Sequence, residues 1–122
     1  QTSAIYCTGS QNPGLITNAE TWNGTSWTEV ADVNTARINL SAAFNGGNSE
    51  GLIFGGGPPN LAITESWNGS SWTEVADLAT ARGSGGGTGT DASAIFHGGS
   101  PGTFVQTEEW SFAHATKTID VS

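Results

Sequence analysis

Eighteen residues recur almost unchanged. ETWNGTSWTEVADVNTAR at residues 20–37 returns as ESWNGSSWTEVADLATAR at residues 65–82, 45 positions later. The copies agree at 14 of 18 positions, and the four differences (Thr21/Ser66, Thr25/Ser70, Val33/Leu78, Asn34/Ala79) conserve size or exposure. Such a chain must fold as copies of one small unit, each burying its apolar face on a neighbour. A third, decayed copy closes the sequence. Thr107-Glu108-Glu109-Trp110 repeats Thr64-Glu65-Ser66-Trp67 at a distance of 43, after which ATKTIDVS stands where SWTEVADL would be.

A second element also occurs three times. AIYCTG, GLIFGGG and AIFHGG are apolar stretches running into small residues. Each leads into a proline-bearing loop and then a strand-like segment ending in Trp22, Trp67 or Trp110. The units run over about 1–47, 48–92 and 93–122, a single repeat domain with no room for a second kind.

The local signals are those of strands. Apolar and polar residues alternate in Trp27-Thr28-Glu29-Val30 and its copy, as a half-buried strand requires. Strands are expected over about 15–22, 26–31, 62–67 and 71–76. Asn-Gly between aromatic residues predicts a two-residue type I′ hairpin turn with positive φ at both positions. Glycine-rich GSGGGTG after Arg82 stands where INLSAAF follows Arg37, and reads as an innermost strand where only small residues fit. A period in the forties with such units predicts β-propeller blades. Eighteen glycines and no methionine agree with short strands and tight turns, and no helical periodicity is present.

Charge narrows the partners. The formal net charge is −8, with only Arg37, Arg82 and Lys117 basic, which argues against nucleic acid and anionic membranes. No apolar run approaches a bilayer span, so no membrane insertion is expected, and no charged-then-apolar signal segment opens the chain. The missing initiator Met points to a processed chain or part of a longer protein. The lone Cys7 cannot form an internal disulfide.

The order of elements resembles a kelch-type β-propeller blade. It runs from a strand ending in a glycine doublet (Gly55-Gly56, Gly98-Gly99) through a Glu-aromatic strand and a turn to Trp27 or Trp72, then Arg37 or Arg82. The likeness covers nearly the whole chain. It departs in placing Trp22, Trp67 and Trp110 where kelch blades usually carry Tyr, and Thr8-Gly9 where a doublet is expected. The regular wording WNGTSWTEVAD and a closing KTIDVS are similar to kelch-like arrays in virion and tail-fibre proteins of marine bacteriophages. The Trp-Asn-Gly turn also resembles the Asp-box of sialidase propellers, a structural turn without catalytic weight. The kelch resemblance implies six or seven blades, whereas this chain supplies about three four-stranded antiparallel ones, with strands counted as four, four and three. Closure then requires self-association through residues 4–8 and 117–121 as sheet edges, or membership of a larger propeller or virion assembly.

Trp27 and Trp72 are expected between blades, and Trp22, Trp67 and Trp110 within them. Arg37 and Arg82 are expected to tie loops to carbonyls or a carboxylate. Glu20, Glu65 and Glu109, with Glu29, Glu74, Asp32 and Asp77, read as solvated surface. Carboxylates repeated in every unit argue for structure over a unique catalytic centre, so a non-enzymatic protein without cofactor or metal is expected. His97 and His114 lack further ligands at metal-site spacing. Cys7, Gly55 and His97 align as one position with three chemistries, a candidate pocket wall. The proline loops at 11–14, 58–60 and 101–103 form the expected recognition surface. Asn12, Pro13, Pro58, Pro59, Asn60 and Pro101, together with His97, are the candidate ligand residues. Asn23, Asn39 and Asn68 match the glycosylation sequon; those at Asn23 and Asn68 are explained by the hairpin turns and are expected to stay unmodified. The function expected is a structural or adhesive component, virion-borne or extracellular, touching host glycans. The alternative is a secreted or cell-surface lectin or protein-interaction module of a bacterium.

Overall fold

The paired tryptophans mark the hairpins. In the computed structural model, which describes residues 2–44, 47–102, 105–111 and 117–119, Gly14–Trp22 (β2) and Trp27–Val30 (β3) pair antiparallel with Trp22 opposite Trp27. Thr64–Trp67 (β6) and Trp72–Val75 (β7) repeat this, Trp67 opposite Trp72.

The turns differ from the two-residue type I′ expectation. Four residues, 68–71, separate the paired tryptophans. Gly69 has φ +93° and Gly24 +97°, but neither Asn23 nor Asn68 has positive φ. Instead Asn68 Oδ1 accepts hydrogen bonds from the backbone N–H of Ser70 and Ser71, both at 2.9 Å. Asn23 Oδ1 does the same for Thr25 and Ser26. The asparagine closes the turn with its side chain, which relieves its own backbone of the left-handed conformation. Glycine is still required after it, and a Cβ on Gly69 would lie 3.0 Å from the Ser49 carbonyl oxygen. Gly69→Val is therefore expected to cost about 1–3 kcal/mol in denaturant unfolding; an unchanged midpoint would remove this account of the turn.

Three antiparallel sheets result. Ala4–Gln11 (β1) joins β2 and β3 in the first. The second has the order Ser41–Ala43 (β4), Gly51–Phe54 (β5), β6, β7. The third runs Gly86–Gly89 (β8), Ser93–His97 (β9), Thr107–Ser111 (β10), Lys117–Ile119 (β11). The strand count is thus three, four and four among the described residues, not four, four and three. The small-residue segments after the arginines cause the difference, because each pairs forward with the following sheet rather than back. Sheet membership accordingly crosses the repeat units at 47/48 and 92/93. β4 and β8 lie against each other: a Cβ on Gly87 would come 2.7 Å from the Ala42 carbonyl oxygen, and Ser41 Oγ donates to the Gly85 carbonyl. Small residues are needed there because two backbones meet.

Strand register fixes which residues are equivalent. Tyr6, Ile53 and Phe96 stand opposite Glu20, Glu65 and Glu108. The third glutamate of the set is therefore Glu108, not Glu109. One residue on, Cys7, Phe54 and His97 oppose Ala19, Thr64 and Thr107, so the histidine aligns with Phe54, not Gly55. The doublets follow, and their first residues Thr8, Gly55 and Gly98 all have positive φ, at 64°, 58° and 70°. Thr8 stands where its counterparts are glycines.

Two apolar cores lie between successive sheets. Ala19, Val33, Ile53, Trp67 and Trp72 fill one, with Ile5, Cys7 and Phe44 packed against it. Ala43, Leu52, Phe54, Leu78, Ala94, Phe96 and Trp110 fill the other. Alternate residues of β5 serve both, Ile53 facing one way and Leu52 and Phe54 the other.

Candidate functional site

After each hairpin the chain must cross to the next sheet, and a buried ion pair holds the crossing. Arg37 and Glu65 are fully buried. Arg37 Nη1 donates to Glu65 Oε1 at 2.6 Å and to the Thr35 carbonyl at 2.9 Å, and Nε donates to the Gly55 carbonyl at 2.7 Å. Glu65 Oε2 also accepts from the Asn34 backbone N–H at 2.8 Å and its Nδ2 at 3.0 Å. The next crossing repeats the device. Arg82 Nη2 donates to Glu108 Oε2 at 2.7 Å, the Ala79 N–H reaches Glu108 Oε1 at 2.6 Å, and the guanidinium sits 4.8 Å from the Phe96 ring centroid. Charges this deeply buried persist because each is paired with its opposite, although Arg37 Nη2 finds no acceptor among the described residues.

These contacts assign the arginines to the framework and correct the expectation for the acids. Glu65 and Glu108 are buried anchors, because an arginine from the preceding linker neutralises each. Glu20, Glu29, Glu74, Asp32 and Asp77 are exposed as expected. The signal in the sequence was the Arg recurring at a fixed place in a chain with only three basic residues, which demands an equally recurrent carboxylate.

The tryptophans divide. Trp72 is 6% exposed and its indole N–H donates to the Ala31 carbonyl of the first crossing at 3.0 Å. Trp67 Nε1 donates to the Asn48 carbonyl at 2.9 Å, and Trp110 is buried. Trp27 is 51% exposed and Trp22 half-buried, their rings 5.5 Å apart. Trp27 was expected between sheets. It is exposed because no described sheet covers that face of the first one.

The proline loops join equivalent strands: β1 to β2, β5 to β6 and β9 to β10. Asn12, Pro13, Pro58, Pro59, Asn60 and Pro101 are all exposed. The second and third loops touch, Asn60 Nδ2 donating to the Ser100 carbonyl at 3.1 Å. Bridges Ile38–Gly57 and Gly83–Ser100 bind the two crossings to the bases of these loops. An open hollow of about 400 Å³ lies at the first loop, lined by residues 11–16. Thr103, His114 and Val121 lie outside the described residues.

The pocket wall expected from Cys7, Gly55 and His97 does not form. Their corrected counterparts face different spaces: Cys7 lies in the first core, Phe54 in the second, and His97 is exposed on β9. Burial pushes the Cys7 thiol up to about 11, against the lowering field of Arg37, so it stays a neutral, poorly nucleophilic thiol at physiological pH. Among the described residues no three His, Cys, Asp or Glu side chains converge as metal ligands would.

The chain is similar to the solved structure of YjhT, with a TM-score of 0.74 over 98% of this chain and 12% sequence identity. It spans 42% of the length of that protein. At such identity the likeness concerns the fold alone: all-β, built of small antiparallel sheets. No protein-family model and no curated protein matches the sequence.

Proposed function

We propose that this chain is a non-catalytic section of a kelch-like β-propeller, serving as a structural and adhesive part of a phage virion or fibre that contacts host glycans. One observation carries the adhesive reading. Three loops of different sequence join equivalent strands of three similar sheets, with exposed proline and asparagine side chains on a framework locked by buried ion pairs. Rigid scaffolds with variable loops are where recognition concentrates. Forward packing of the sheets, with small-residue strands β4 and β8 side by side, supports blades grouped about an axis. The virion setting rests on the resemblance of the repeat wording to phage arrays. Each loop alone would bind weakly, and several loops on one edge would act together on a repeated glycan.

Replacing the three loop tips with Gly-Ser stretches tests this. Attachment to host cells, or to a glycan array, is expected to fall at least tenfold while far-UV circular dichroism and unfolding midpoint stay near those of the parent. Unchanged attachment would remove the loops from recognition.

A further inference from the structure

The first sheet lacks two things that the others possess, and both come from the same place. In the second sheet, residues 33–43 place Val33 in the core, Arg37 on Glu65, and β4 along the edge of β5. In the third, residues 78–89 place Leu78 in the core, Arg82 on Glu108, and β8 along the edge of β9. One continuous segment thus completes a sheet each time, with an arginine followed by a short strand of small residues. In the first sheet β1 is an edge strand with no such partner among the described residues. Glu20, the counterpart of Glu65 and Glu108, is exposed, and its carboxylate makes no hydrogen bond or ion pair among the described residues. Beside it Tyr6 and Trp27, counterparts of Ile53 and Trp72, are 54% and 51% exposed.

We infer that this face of the first sheet is a receiving site for an arginine-bearing segment of the same form, belonging to a further sheet of the same repeat class. Its guanidinium pairs with Glu20, its small-residue strand hydrogen-bonds along β1 opposite residues 5–7, and its sheet covers Tyr6 and Trp27. Such a segment would continue an interface that the molecule builds twice, and it would supply the partner that the Glu20 carboxylate lacks among the described residues. A second copy of this chain is the weaker occupant, since Arg37 and Arg82 are both already buried on their own glutamates. The inference does not depend on what the proline loops bind.

The probe is a capped peptide with the sequence of residues 31–43, ADVNTARINLSAA, titrated into the intact chain by calorimetry and tryptophan fluorescence. Saturable one-to-one binding with a blue shift is expected as Trp27 leaves water. Arg→Gln in the peptide, or Glu20→Gln in the protein, should each weaken binding at least tenfold, and combining the two should weaken it little further. Glu20 is exposed, so the variant should retain the parental circular dichroism. Should it not, the Arg→Gln peptide on the parent protein decides alone. Absence of saturable binding at millimolar peptide, binding indifferent to the arginine, or occupation of the face by a second copy that persists in Glu20→Gln would each overturn the inference.

Discussion

Glu65→Ala is expected to cost about 3–5 kcal/mol, because it leaves the fully buried Arg37 guanidinium without its counter-charge. Glu65 also accepts the Asn34 and Thr35 backbone N–H groups, so the crossing between the first two sheets would lose its anchor as well as its charge balance. Removing both charges together, as Arg37→Met with Glu65→Leu, should cost less than the two single losses added, since no unpaired ion remains. Glu20→Ala, the same residue type at the same repeat position, should stay within about 0.5 kcal/mol of the parent. Denaturant unfolding of these variants beside the parent, with Arg37→Met and Glu65→Leu also made singly, measures all of this. Equal losses at Glu20 and Glu65 would show that the ion pair is not what holds the crossing.

Strands were legible where a short-range rule applied. Alternation around Trp27 and Trp72 placed β3 and β7, and the aromatic pairs located both hairpins. Three features escaped for identifiable reasons. The turn hid because Asn68 satisfies the backbone with its side chain, which the Asn-Gly rule does not anticipate. The membership of β4 and β8 hid because strand pairing is a non-local choice, and a segment between two sheets carries no local mark of which it will join. Glu65 and Glu108 hid because a carboxylate in an alternating strand reads as solvent-facing unless its partner is known. That partner lies 28 residues away for Glu65 and belongs to the linker, not to any strand.

The same non-locality bears on the candidate site. The exposed positions of the loop prolines could be anticipated, since a loop between two strands has few other places to go. The three-chemistry position could not, because alignment by the aromatic residue slipped one place against the true register. A slip of one residue sends a side chain to the opposite face of its sheet. In the true register Cys7, Phe54 and His97 occupy the same place in three successive sheets, so they meet two different cores and an outer face and carry no shared chemistry.

Trp72→Ala should cost about 3–5 kcal/mol, the loss typical of a large buried aromatic, whereas Trp27→Ala should cost less than about 1 kcal/mol. Both residues open the same tetrapeptide, WTEV, so propensity and local contacts cancel in the comparison. The remainder is what a neighbouring sheet contributes. Trp72 packs its ring 5.1 Å from Trp67 and 6.4 Å from Phe44, and its indole N–H donates to the Ala31 carbonyl on the preceding crossing. Trp27 has its ring contact with Trp22 but no such carbonyl among the described residues. Trp72→Phe should fall between, keeping much of the apolar area while leaving the Ala31 carbonyl unbonded. Unfolding midpoints with unchanged slopes would measure the difference. Comparable losses at both tryptophans would mean that the first sheet is already covered in solution, and that its aromatic face is an occupied interface.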